Sequence, residues 1–528
     1  MAILLAATDD KVMFEDNVVA DLDLKRLCRT FLAENEYDDR RLTDWLHNYI
    51  THEPHEISRR YTILTYLAAN PQNLKDMRQI NQKREELEFS LKEADGTAHP
   101  MLLYMYTLIA LEAYVSTVDM LLQMFMGSND PEMNKLYRAI QAEKESHCYQ
   151  TAVRNLVDMP LKCSPLGNVL LGVNMTEAGQ AVQIALTGIN ESLPESVGLL
   201  GGPRENINSL CDDVPLKLRS SIVHLEEYIL ELVEKELSKP LRHVMKDVRK
   251  IESDKLRAWC DWLQPVELYT AGLQYMKTIS EQDITYCLPS ASKETFEIVD
   301  MVYPHMVIRG EKTVSQTLGF SINETVMITG ANNSGKTSCL KSLAQNIILA
   351  QLGFPALAKV FKFPAYQRII TEFAAGEDHM QLASRYQQEA ESLANIVRIA
   401  DKNTLILLNE PFTSTNPDEA SGLISDILIE LRKRQSTQIV VTHLYDVYQM
   451  SQERGLDDIK SYVIESKVDL GVIFHSYSLE EKIPNGLSYA RLLALQYGLD
   501  TRKLITDVKT ADKISDYLYG GLEDASFV

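Results

Sequence analysis

Over the first 290 residues, apolar positions recur every three or four places, the period with which an α-helix turns one face to a core. Ile57 to Ala69 is one such stretch and ends at Asn70-Pro71. Leu74, Met77, Ile80, Arg84, Leu87 and Leu91 keep a seam-like spacing through charged sequence, which predicts a long, partly exposed helix. Met101 to Met126 is far more apolar and predicts a buried helix, and Met133 to Val157 predicts a further one. Between 159 and 215 the period is lost among prolines, Gly201-Gly202 and short apolar runs such as Asn168 to Val173, which predicts a small mixed insert. Helical spacing resumes from about Leu216 to Arg257, with Ile222, Leu225, Ile229, Leu232 and Leu237 on one stripe and Pro240 as a kink point.

From about Phe296 the pattern changes to short apolar runs alternating with helical stretches, the pattern of an α/β nucleotide-binding domain. The expected organisation is therefore a mainly helical domain over 1–295, carrying the insert, and an α/β domain over 296–528.

One apolar run of the second half, Val326-Met327-Ile328-Thr329, leads into Gly330-Ala331-Asn332-Asn333-Ser334-Gly335-Lys336-Thr337. That octet fits G-x-x-x-x-G-K-[ST] at every fixed position. Helical spacing follows from Ser338 to Leu352 and stops at Gly353 and Pro355, so the loop lies between a strand and a helix, as a P-loop must. Gly330 and Gly335 let the backbone curl its N–H groups toward a phosphate, and the helix N-terminus adds partial positive charge. Lys336 is expected to reach the β- and γ-phosphates of ATP, and the Thr337 hydroxyl to ligate Mg²⁺. Asn332, Asn333, Ser334 and Ser338 complete the candidate nucleotide-binding set.

Leu405 to Leu408 is a second apolar run, ending in Asn409-Glu410-Pro411. In a P-loop ATPase this is the Walker B position, where Asp holds Mg²⁺ through water and Glu orients the attacking water. Glu410 is present, but Asn409 replaces the Asp. An amide still accepts a hydrogen bond, from the cation's water or from Thr337, yet it carries no charge, so weaker Mg²⁺ retention and slow hydrolysis are expected. A third run, Gln438 to Thr442, ends at His443, placed to touch the γ-phosphate. Such a histidine standing alone is more often structural; the two other motifs favour the sensing role.

Composition narrows the class. The chain has 528 residues, 24% charged and 45% hydrophobic, ordinary for a globular protein. No run of 18 apolar residues occurs, so no membrane-spanning helix is expected. The start, Met-Ala-Ile-Leu-Leu-Ala-Ala-Thr-Asp-Asp, lacks a basic segment and makes a poor secretory signal. Seven scattered cysteines without C-x-x-C fit reduced thiols in a cytoplasm and no zinc site. The net charge is −21, of which residues 1–300 carry −16 (31 basic, 47 acidic). That balance argues against tight non-specific binding to a phosphate backbone.

With these motifs in place, the second half resembles the MutS family of DNA mismatch-repair ATPases. Thr329 to Thr337 resembles its T-G-P-N-x-x-G-K-S, and Leu408-Asn409-Glu410 with Thr413-Ser414-Thr415 its D-E-x-x-x-G-T-S, Ser414 standing for Gly. Val441-Thr442-His443 resembles A-T-H, Asn485 to Ala490 the closing S-Y-G-x-x-x-A stretch, and Ala383 to Glu389 the S-T-F-x-x-E segment. The spacing of 73 residues from Lys336 to Asn409 leaves no room for a long coiled coil, and no L-S-G-G-Q lies between. The resemblance implies a MutS/ABC-like P-loop domain and a homodimer in which Ser384 contacts the partner's γ-phosphate in trans. It also implies helices that serve as core and lever arms. A short form is expected, lacking the mismatch-reading N-terminal domain, its Phe-x-Glu pair and the Smr nuclease domain. The family implies DNA, mismatched or branched, as the arms' cargo. A ribosome or structured RNA, or a protein partner without DNA, stays open. The best basic cluster for nucleic acid is Lys239, Arg242, Lys246, Arg249 and Lys250. No membrane partner is expected.

Overall fold

A computed structural model describes residues 12–14, 17–32, 39–97, 99–162, 169–175, 181–189, 246, 248, 251–292, 294–373, 382–413, 415–469 and 472–484. The chain forms two compact units, residues 67–270 and residues 7–66 with 271–528. Its first elements are β1 (Met13–Phe14), α1 (Val18–Asp21), α2 (Leu24–Cys28), α3 (Asp39–Tyr49) and α4 (Pro54–Ala68).

The unit of residues 67–270 holds α5 (Gln72–Gly96), α6 (Pro100–Phe125), α7 (Pro131–Lys144), α8 (His147–Lys162), the antiparallel hairpin β2 (Val169–Met175) and β3 (Ala181–Ile189), and α9 (Ser253–Leu263). Of the seam read in α5, Leu74 and Arg84 are half-buried, and Met77, Ile80, Leu87 and Leu91 are buried. They pack along α6, whose Leu111, Tyr114, Val118 and Leu121 are also buried. By length and composition α6 could cross a membrane; one side of it packs against α5, α7 and α8, while Met105 and Ile109 are exposed. The stretch Met133 to Val157, expected as one helix, is two. α7 ends at Lys144 with Glu145 as its C-cap, and Ser146 Oγ accepts the Tyr149 N–H at 3.1 Å, capping α8. No glycine or proline marks that break. The helical run expected from Leu216 to Arg257 falls mostly outside the described residues; where it is described, it breaks at Ile251-Glu252 before α9 begins.

The other unit continues with α10 (Val266–Glu281), β4 (Ser290–Ala291), β5 (Thr295–Met301), α11 (Pro304–Ile308), β6 (Gln316–Ser321), β7 (Thr325–Gly330), α12 (Lys336–Leu352), β8 (Val360–Phe363) and β9 (Arg368–Phe373). Then come α13 (Leu382–Ile399), β10 (Thr404–Asn409), α14 (Pro417–Lys433), β11 (Thr437–Thr442), α15 (Asp446–Glu453), β12 (Ile459–Asp469) and β13 (Val472–Glu481). Seven strands form one sheet in the order β1-β9-β10-β11-β7-β12-β13. Its pairs are parallel from β1 to β12, and β13 closes it antiparallel. β7, β10 and β11 are buried along their whole length, which is why they read as continuous apolar runs rather than alternations. A second sheet, β4-β8-β5-β6, packs Phe296 against Phe320 at 4.1 Å.

α12 is the hub of this unit. Nearly all of it is buried, and its polar residues hold backbone groups from distant segments. Gln345 Nε2 donates to Leu22 O at 2.7 Å, and Gln351 Nε2 to Thr51 O at 3.1 Å. Asn346 Oδ1 accepts the Leu357 N–H at 2.7 Å. Buried amides of this kind are stable only when so paired. They tie residues 17–51 to the P-loop helix. α12 stops at Gly353, whose φ of +88° suits glycine; a Cβ there would meet the Arg60 side chain at 2.5 Å.

Candidate functional site

Parallel register brings three strand ends together. Thr329 pairs with Thr442, and Asn409 with Val441. The loop after β7, Glu410 after β10 and His443 after β11 therefore leave the sheet side by side, at the carboxyl edge where open α/β sheets hold ligands.

The loop has the shape a phosphate cradle needs. Asn333 (φ 63°) and Gly335 (φ 95°) are left-handed, and α12 begins at Lys336. A Cβ on Gly330 would meet Ser334 Oγ at 2.8 Å and Ile464 O at 2.9 Å. Lys336 is only 5% exposed and folds back on its loop. Its Nζ donates to Gly330 O and Ala331 O, each at 3.0 Å, and lies 3.2 Å from Glu410 Oε1. Thr337 Oγ1 donates to Asn409 Oδ1 at 2.8 Å. On the other side of Glu410, Oε2 accepts the His443 backbone N–H at 3.2 Å and lies 2.5 Å from His443 Nδ1. Burial alone would raise the Glu410 carboxyl. The His443 hydrogen bond and the Lys336 charge together outweigh it and hold the group below its ordinary range. Glu410 is thus an anion at neutral pH.

A cavity of about 670 Å³ opens over this cluster. Lys336, Thr337, Asn332, Asn333, Ser338 and Glu410 line its polar end, and Tyr303, Val314 and Tyr477 offer apolar walls. Tyr477 is held there by Gln316, whose amide nitrogen donates to Tyr477 O at 2.6 Å while its oxygen accepts the Leu479 N–H at 2.9 Å. Ser342, also lining the cavity, has a buried hydroxyl without a partner, as does Ser334 beneath the loop. Gln316, Tyr477 and Tyr303 are missed by motif reading. The one signal for Gln316 is that it shares the inward face of β6 with Leu318 and Phe320, where an apolar residue is expected.

Five expected site residues, Lys336, Thr337, Asn409, Glu410 and His443, lie in one hydrogen-bonded cluster. Ser384 falls on the backbone of α13, with its side chain outside the described residues. Ser414 and residues 485–490 also lie outside them, as do Lys239, Arg242, Arg249 and Lys250; Lys246 is helical and exposed. Among the described residues no group of three or more His, Cys, Asp or Glu could hold a metal by itself. Thr337 Oγ1 and Asn409 Oδ1 beside the Glu410 carboxylate are oxygen donors, and that set fits a hard cation brought in with phosphates.

Residues 326–498 match the family model for MutS domain V, a P-loop ATPase-type domain. Endonuclease MutS2 of Staphylococcus aureus strain Newman is 27% identical over 261 residues, which is 49% of this chain and 31% of that protein. Another Endonuclease MutS2 of Staphylococcus aureus is 26% identical over 261 residues, 49% of this chain and 34% of its own length. The match thus spans about a third of the curated relatives. These likenesses show that residues 326–498 are similar to MutS domain V and that about half of the chain is similar to part of Endonuclease MutS2.

Proposed function

We propose that this chain is a slow, cytoplasmic, homodimeric ATPase of the MutS family that couples ATP to movement of its helical arms on DNA, mismatched or branched. One observation carries the reading: Lys336, Thr337, Asn409, Glu410 and His443 meet within hydrogen-bond reach at the edge of a cavity large enough for a nucleotide. The phosphates lie against the loop amides and Lys336. The base lies toward Tyr477 and Val314. Thr337 and Asn409 would hold Mg²⁺, which would supply charge neutralisation at the phosphates.

At rest Lys336 is engaged by two carbonyls and by Glu410. A phosphate competes for the same ammonium. Once Lys336 turns to it, Glu410 Oε1 is released to accept a hydrogen bond from water. A carboxyl held below its ordinary range is a weak base, so Glu410 orients water rather than removing its proton at the outset. His443 Nδ1 stays on the other oxygen and fixes the carboxylate's aim. Ser384 serves the neighbouring subunit's nucleotide.

DNA as cargo is supported by the family. The balance of −16 over residues 1–300 favours a second reading, a protein or RNA partner held by the arms. ATP turnover together with binding to homoduplex, mismatched and branched DNA and to RNA, each at two salt concentrations, separates them. Binding to DNA with a steep salt dependence supports the first reading. Absence of any nucleic-acid binding at low salt turns the proposal to the protein partner.

A further inference from the structure

The turn after β10 is also pinned from α13, by Glu389, the last residue of the segment that resembles S-T-F-x-x-E. β10 ends at Asn409, and the next N–H, from Glu410, still bonds to Val441 O on β11 at 2.8 Å. Glu410 then adopts φ 55° and Phe412 φ 58°, left-handed conformations that neither residue type favours. Such strain persists only where the surroundings over-determine it. Between the two lies Pro411, which has no N–H to give. The far end of the turn is held instead by a side chain: the Phe412 N–H donates to Glu389 Oε1 at 2.5 Å. Glu389 lies on α13, 23 residues earlier in the chain, and is 9% exposed. The contact is reinforced by packing. The Phe412 ring sits in the same core cluster as Leu393 and Ile396 of α13, and the Tyr386 ring stands 5.8 Å from it. α13 is itself anchored to the sheet, since Ser392 donates to the Glu372 carboxylate on β9.

We propose that Glu389 is a positioning residue for hydrolysis: through the Phe412 N–H it holds the turn that aims Glu410 at water. The inference rests on the reading of Glu410 as the residue that orients water. Two hydrogen bonds then bracket Glu410, one from β11 and one from α13. Release of the second lets the turn relax toward ordinary φ and swings the carboxylate away from its line. Because Ser384 is on the same helix, α13 joins the partner's nucleotide to this chain's Glu410.

The test uses the full chain with three substitutions, Glu389→Gln, Glu389→Asp and Glu410→Gln. Nucleotide affinity is read with N-methylanthraniloyl-ATP, hydrolysis by single turnover of radiolabelled ATP, and folding by thermal melting. Glu389→Gln keeps an oxygen at the same reach and should hydrolyse within about threefold of wild type. Glu389→Asp keeps the charge but is one methylene short, and should lose about tenfold or more in rate with nucleotide Kd within about twofold. Should the Asp variant not fold, Glu389→Ala replaces it with the same expectation. A shortened variant that hydrolyses like wild type overturns the proposal. So does Glu389→Gln as slow as Glu389→Asp, because charge and not the hydrogen bond would then be acting. Parallel loss of affinity and rate also overturns it, since that marks a merely structural residue. Glu410→Gln at wild-type rate overturns the water-orienting reading itself, which is a different failure.

Discussion

Asn409→Asp should lower the Mg²⁺ needed for nucleotide binding and hydrolysis. Asn409 Oδ1 receives the Thr337 hydroxyl at 2.8 Å, so a cation on Thr337 would have the residue-409 oxygen in its next shell. Through one water the separation is about 4.5 Å, and a carboxylate there attracts a divalent ion by about 7 kcal/mol at an effective dielectric of 20. Two costs come with the charge. Residue 409 is 9% exposed, and burying a new carboxylate costs several kcal/mol. The neighbouring Glu410 carboxylate adds repulsion of about 2 kcal/mol at 6–8 Å, partly offset by Lys336. Both costs fall on the fold; in cation binding the attraction is offset instead by desolvation of the ion and the carboxylate, which leaves about 1–3 kcal/mol, or about a 5- to 150-fold lower Mg²⁺ midpoint. The costs remain when the cation is absent, so the variant should melt below wild type in EDTA and recover on titration with Mg²⁺ and a non-hydrolysable ATP analogue. A Mg²⁺ midpoint unchanged within twofold, in binding and in melting alike, would refute the placement of residue 409 beside the cation.

Lys336→Ala should abolish binding of N-methylanthraniloyl-ATP while far-ultraviolet circular dichroism stays native, because the lost contacts are two loop carbonyls and Glu410, which keeps His443. Gly335→Ala should melt lower by about 1–2 kcal/mol from its φ of +95°, and its Cβ, 3.2 Å from Tyr477 Cδ1, should weaken nucleotide binding as well. Glu410→Gln should be less stable than wild type at neutral pH in urea titrations, with the gap closing as pH falls. The folded-state carboxyl lies below its ordinary range, so its stabilising effect is present at and above that range. It is lost as protonation makes Glu410 resemble Gln, and a gap that widens in acid would contradict the pairing with Lys336 and His443.

The chemistry of the site was legible because it is written locally. Gly330, Gly335, Lys336 and Thr337 sit within eight residues, and β7, β10 and β11 announce themselves as buried runs ending in Thr329, Asn409 and Thr442. The order β9-β10-β11-β7 is not local. It is set by crossovers through α12, α13 and α14, and it alone decides that Glu410 faces both Lys336 and His443. Gln316 and Tyr477 escaped for the same reason, being 161 residues apart. The packing of residues 17–51 on α12 was equally hidden. Gln345 and Gln351 read as ordinary helix formers, and nothing near them names Leu22 or Thr51 as partners. The break between α7 and α8 left only Ser146 as a signal, and a serine inside a helical period is common.

On the proposed reading, the hydrogen bonds of the cluster are the ones a nucleotide would take over. Lys336 is held by Gly330 O, Ala331 O and Glu410, and Thr337 by Asn409. Each is a stand-in partner for a phosphate oxygen or a cation, so binding exchanges contacts rather than adding them, and affinity is lower than the number of ligand contacts suggests. The exchange has a second effect. While Lys336 lies against Glu410 Oε1, it competes with water for that oxygen, and the Thr337 hydroxyl is turned to Asn409. On the proposed reading, the arrangement competent for hydrolysis would form as phosphate and cation bind. A neutral Asn409 suits this device: an Asp there would grip Thr337 and the cation alike, and would compete with Glu410 for Lys336 in the empty site.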